Sequence, residues 1–138
     1  MRNAAILTLF AISAVFAEIS PKYYREWQQQ APERLRIKIE KVESDPCNDC
    51  DRFKTRVNAE VVRVIRSKAG LRTGNKIFME YEVFVPRRGW VGPRPMPVLT
   101  VGTEYDFFGS KADVNKEKGV IVTPGARGYS FDSLIEGQ

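Results

Sequence analysis

Five runs of apolar residues between Leu35 and Thr123, two of them long and broken in phase, predict an all-β domain. Their number and spacing fit a five-stranded Greek-key barrel of the OB type. A helix-start signal ahead of the first run adds a short N-terminal helix. An immunoglobulin-like sandwich needs about seven strands and usually a widely spaced cysteine pair, and neither is present.

The chain opens with Arg2, an apolar run over residues 6–15 and the small-x-small site Val15-Phe16-Ala17. That order is the order of a secretory signal peptide, and the run is too short for a permanent membrane span. Removal of residues 1–17 is expected to leave one domain over 18–138, secreted or periplasmic. Ser20-Pro21 then starts a helix, with a capping hydroxyl followed by a proline whose missing N–H does no harm. Residues 22–30 continue it, with Tyr23 and Trp27 four apart and so on one face, expected to pack across a barrel opening. Ala31-Pro32 ends it.

In residues 35–40 Leu35, Ile37 and Ile39 alternate with charge, the period of a strand buried on one face. Val42 falls out of step, which predicts a bulge. From Thr55 the inward set is Val57, Ala59 and Val61, after which Val62 and Val64 take the other phase with no turn between. An extra residue that kinks a long strand does this, and small barrels need such kinks to close. Gly70-Leu71-Arg72-Thr73-Gly74 predicts a turn. Ile77, Met79, Tyr81, Val83 and Val85 then alternate with Phe78, Glu80, Glu82 and Phe84 until Pro86 stops the strand. A proline-rich loop follows over 86–97, then a fourth strand over 104–108. A charged loop is expected over 109–119 and a fifth strand over 120–123, ended by Pro124-Gly125. In the tail, Phe131, Leu134 and Ile135 are expected to dock as one helical turn.

The formal net charge is +5, one less without Arg2, and the positive residues lie among many Glu and Asp rather than in a tail. This balance favours an anionic partner, either a protein or a surface polysaccharide. Nucleic acid is disfavoured because Glu80, Glu82, Glu104 and Asp106 on the strands would repel phosphate. After the leader, no stretch is apolar and long enough to span a membrane. Histidine is absent, which removes imidazole acid–base catalysis, Ser-His-Asp and Cys-His arrangements and His-containing zinc sites. No catalytic set, no cofactor motif and no metal site is expected.

Cys47-Asn48-Asp49-Cys50 is the sharpest local motif. In an exported protein a lone pair most simply forms a disulfide, Cys47 to Cys50, and so small a loop restrains the unfolded chain by about 2 kcal/mol. Haem attachment needs a histidine where Asp51 stands. A redox pair would open a helix, whereas this is a strand-to-strand loop in which Asp45, Asp49 and Asp51 oppose a thiolate. Two thiolates with these carboxylates are an incomplete set for structural zinc. A redox or metal-handling use of the pair is the alternative function.

Two segments carry a binding reading. In 86–97, Arg87, Arg88, Trp90, Arg94 and Met96 sit on a chain stiffened by Pro86, Pro93, Pro95 and Pro97. A pre-ordered loop loses little entropy on docking, and Arg and Trp are common interface anchors. The bland alternative buries Trp90 and Met96 over one barrel end. In 111–118, Lys111, Lys116 and Lys118 could meet an anion near the cysteine loop, or form a solvated turn with Asp113 and Glu117.

Residues 59–66 with Gly70-Leu71-Arg72-Thr73-Gly74-Asn75-Lys76-Ile77, and later Leu99-Thr100-Val101-Gly102-Thr103-Glu104-Tyr105-Asp106-Phe107-Phe108, resemble the netrin-like domains, which include the tissue inhibitors of metalloproteinases. The shared features are turn glycines and strand residues, so the resemblance implies a secreted OB-type barrel. It also implies a protein-binding role of protease-inhibitor type. Those inhibitors chelate the protease zinc through an amino-terminal cysteine, whereas this chain has Glu18 at the expected terminus and no cysteine before Cys47. Pro97 and Val98 stand where the family has a further cysteine. None of the family's functional residues maps here. The expectation is a non-enzymatic binding module.

Overall fold

The computed structural model describes residues 21–45, 51–86, 88–92 and 94–136. The expected leader and the Cys47–Cys50 pair lie outside the described residues. Helix α1 (Pro21–Gln30) precedes strands β1 (Glu33–Ser44), β2 (Arg52–Ser67), β3 (Lys76–Phe84), β4 (Glu104–Asn115) and β5 (Gly119–Pro124), and a 3₁₀ turn (Arg127–Tyr129) follows. The strands form a closed barrel in the order β1-β2-β3-β5-β4. All neighbours are antiparallel except β3 and β5, which run parallel. The all-β barrel with a short N-terminal helix is therefore the fold of this chain. Among the described residues, no helix is long and apolar enough to cross a membrane.

Both expected phase breaks are bulges. The β1–β2 register shifts between Ile39 and Lys41, ahead of Val42. On β2 the pairing passes from Ile37↔Val61 to Arg36↔Arg63, so Val62 is the extra residue and its side chain turns to solvent. A second skip places Ile65 outside as well. These kinks let β1 bond β2 along one edge and β4 along the other, which closes the cylinder.

The interior holds Leu35, Ile37 and Ile39 of β1, Val57, Ala59 and Val61 of β2, Ile77 and Met79 of β3, Phe107 of β4 and Val122 of β5. Phe131 from the tail enters this core, with ring centroids 5.7 Å from Tyr81 and 5.8 Å from Phe107. Burying such a ring stabilises by about 1.5–3 kcal/mol. The tail therefore docks through Phe131. Its helical turn lies upstream at Arg127–Tyr129, while Leu134 and Ile135 stay outside regular structure.

Two further expectations are corrected. The buried face of α1 is Tyr24 and Gln28, one residue round from Tyr23 and Trp27; Tyr23 is exposed. The reason is the Gln28 amide, which donates to the carbonyls of Tyr129 (2.9 Å) and Ser133 (3.3 Å), while its oxygen accepts from the Ile135 N–H (2.9 Å). The helix thus packs on the tail segment, and its C-terminal end is tied to β2 by Arg66, which donates to the carbonyls of Gln28 (3.3 Å) and Ala31 (2.6 Å). The charged stretch 109–119 is mostly strand. β4 continues to Asn115 against β5, and only residues 116–118 form the turn. Its outer half projects past the core with no apolar alternation to announce it.

Candidate functional site

Phe84, at the end of β3, organises the surface around the proline-rich loop. The Arg52 guanidinium lies 5.4 Å from its ring centroid, and Trp90 meets it edge-on at 4.7 Å. Arg52 is brought there by the β2–β3 register, which pairs Arg52 with Phe84. Trp90 is seated by a close backbone approach: a Cβ at Gly92 would collide with the indole, so only glycine lets the ring fold back there. Trp90 nevertheless stays 46% exposed, beside Val91 at 70% and an exposed Val85. Arg88 is exposed on the same loop. The result is an apolar patch with the Arg52 guanidinium on one ring and Arg88 exposed two residues before Trp90.

The loop divides at Gly92. Its second half is structural, because Met96 packs against the core and the Pro97 carbonyl accepts the Tyr81 hydroxyl at 2.8 Å. Arg94 is turned away from the patch. Its guanidinium pairs with the Asp132 carboxylate and lies 4.9 Å from the Tyr129 ring centroid. Of the loop residues singled out from sequence, Arg88 and Trp90 share the patch, Arg94 clamps the tail, and Arg87 lies outside the described residues. The alternative that buries both Trp90 and Met96 over one barrel end fails at Trp90: Met96 is half-buried against the core, whereas Trp90 stays exposed.

The lysine segment does not converge. Lys111 is a strand residue on β4, bordering a depression with Glu33, Lys68 and Ser110. Lys116 projects from a turn whose Asn115 Oδ1 accepts the N–H groups of Glu117 (2.9 Å) and Lys118 (3.1 Å). Lys118 instead caps the outer face of β3, its ammonium 4.3 Å from the Phe78 ring centroid. Its charge helps hold the Glu43 carboxyl below the usual range, after the larger effect of Lys41. The cysteine loop leaves the barrel after Ser44, the last residue of β1. The roots of that loop are pinned. Asp45 accepts from Arg56 at 2.8 Å, and the Asp51 carbonyl accepts the Val85 N–H at 2.8 Å.

A depression of about 680 Å³ lies between β4 and the tail. Arg36 pairs there with Glu104 (3.6 Å) and Asp106 (3.4 Å), and Asp132 with Arg94. Outward strand charges elsewhere form the same kind of ladder, including Lys76–Glu40 at 2.8 Å and Lys54–Glu80 at 3.7 Å. Among the described residues, no group of three acidic or sulfur side chains is placed to hold a metal ion.

No protein-family model, curated protein or solved structure matches this chain. Sequence reasoning singled out Arg88 and Trp90 but not Arg52 or Phe84; cross-strand register brings Arg52 to Phe84, and the fold-back of the loop brings Trp90 there.

Proposed function

We propose that this chain is an exported, non-enzymatic binding module that recognises a protein or anionic surface partner through the patch at Phe84, Arg88 and Trp90. One observation carries the reading: a tryptophan locked by Phe84 and Gly92, yet half exposed among apolar and arginine side chains. Anchors fixed before contact lose little conformational entropy on binding. The signal-like leader and the resemblance to netrin-like domains support export and protein binding. The histidine-free composition supports a role without turnover. The test is capture from the native extracellular fluid, with dextran sulfate as a defined anionic probe. An Arg88→Ala/Trp90→Ala variant should bind at least about ten-fold more weakly, at unchanged Tm. Equal retention of every captured species and of the polymer would reject the patch.

A further inference from the structure

The barrel is closed weakly at one seam. β3 is bonded to β2 from Lys76 to Phe84, but to β5 only at Ile77 and Phe78. Beyond Phe78 the two parallel strands part. Hydrogen-bonded pairs on the β2 side are fixed at both ends: Val61 exchanges bonds with the Gly74–Asn75 turn, and the Val85 N–H donates to Asp51. Antiparallel alternation between these ends turns the N–H and C=O groups of Glu80, Glu82 and Phe84 away from β2, toward the seam. The opposite wall ends in Pro124, which has no N–H to offer.

A cleft of about 400 Å³ fills this gap, with Tyr81 and Met96 in its lining, Thr123 and Pro124 on one side and Trp27 beneath Arg127 at the end. The Arg127 guanidinium lies 5.5 Å from the Trp27 ring centroid. Arg127 holds a left-handed backbone (φ 47°), fixed by Ser130, whose N–H (3.0 Å) and hydroxyl (2.7 Å) both donate to the Arg127 carbonyl. The cleft wall is thus built into a conformation that a non-glycine residue seldom adopts.

We propose that this seam accepts an extended protein segment, added as a further strand to the free edge of β3. Its side-chain pattern follows from the pleat. Residues on the outer face would lie beside Glu80 and Glu82, those on the inner face against Tyr81 and Met96. The outer row is acidic and answered from one side only, Glu82 by Arg52 at 3.4 Å and Glu80 by Lys54 at 3.7 Å. An incoming strand with Lys or Arg at alternate positions repeats that charge pattern from the empty side. The occupant is therefore a segment alternating basic and apolar residues. The two sites share Phe84, but neither Arg88 nor Trp90 lines the cleft, so loss of those two side chains tells failure of one site from failure of the other.

The test uses acetylated Lys-Val-Lys-Val-Lys-Val, its Glu-Val counterpart, and a form N-methylated along one edge. The basic peptide should bind the full mature chain and slow amide exchange at Glu82 and Phe84 by roughly ten-fold or more. The acidic and N-methylated peptides should bind at least roughly ten-fold more weakly, a loss matching one or two hydrogen bonds. Glu82→Pro should weaken binding alike, because that N–H is outside the β2 ladder and an edge proline spares the sheet. The Arg88→Ala/Trp90→Ala variant should bind the peptide normally. Equal binding of the basic and acidic peptides, or indifference to N-methylation, would overturn the proposal. So would slow exchange at Glu82 and Phe84 in the free protein. If that protection grows with protein concentration, a second copy of the chain is the occupant.

Discussion

Glu33 is fully buried at the first position of β1. One carboxylate oxygen accepts the Ala69 N–H at 2.7 Å and the Ser67 hydroxyl at 3.2 Å. Ser67 Oγ in turn accepts the Leu71 N–H at 2.8 Å, so one side chain organises the whole turn after β2. Removing it leaves buried donors without partners, at about 1–3 kcal/mol for each unsatisfied group. Glu33→Ala should therefore lower the free energy of unfolding by about 2–3 kcal/mol in urea titration. Glu33→Gln, which keeps an accepting oxygen in place, should cost less than half of that. Equal losses for the two variants would show that the negative charge, not acceptance, holds the turn. From the sequence the strand begins at Leu35 and Glu33 is not placed inside, although it falls in phase with Leu35, Ile37 and Ile39. Its partners were not legible, since nothing local ties position 33 to residues 67–71.

The elements divide by how far their reasons lie along the chain. Strand alternation, the bulges before Val42 and at Val62 and the stop at Pro86 are local, and all were legible. The outer half of β4 was not. Ser110–Asn115 form a strand because β5 bonds to them, with a shift between Lys111 and Asp113. They cover no core that would impose alternation. Helix α1 was placed correctly, but its buried face was not, because an apolar rule favours Tyr23 and Trp27 over a glutamine. Gln28 wins by satisfying three backbone groups of the tail. Gln28→Ala should cost about 2 kcal/mol and speed amide exchange in residues 127–136 while leaving the strands protected. A uniform rise in exchange across the barrel would mean instead that helix, tail and barrel open as one unit. The loop patch was half legible for the same reason: Trp90 is a local signal, Arg52 a long-range one.

At the scale of the molecule, tail, loop and barrel meet at Tyr81. Its ring sits between the core and Phe131, and its hydroxyl donates to the Pro97 carbonyl, so it joins β3 to the loop that precedes β4. Burial, with a smaller push from Tyr105, raises its pKa well above the ordinary value of a tyrosine. The unfolded chain gives up this proton near pH 10, whereas the folded protein keeps it to higher pH. The unfolded state then binds fewer protons than the folded one, so stability falls as pH rises. The contribution is whole below about pH 10 and is lost above it, with a slope of at most about 1.4 kcal/mol per pH unit from this one group. Tyr81→Phe keeps the ring and removes both the proton and the bond. It should be less stable than wild type by about 1 kcal/mol at pH 7, and the gap should close as pH passes 10. Urea midpoints of the two proteins between pH 7 and 11 measure this directly. A gap that stays constant across that range would mean that Tyr81 ionises as freely in the folded barrel as in water, and that the junction of tail and loop is open to solvent.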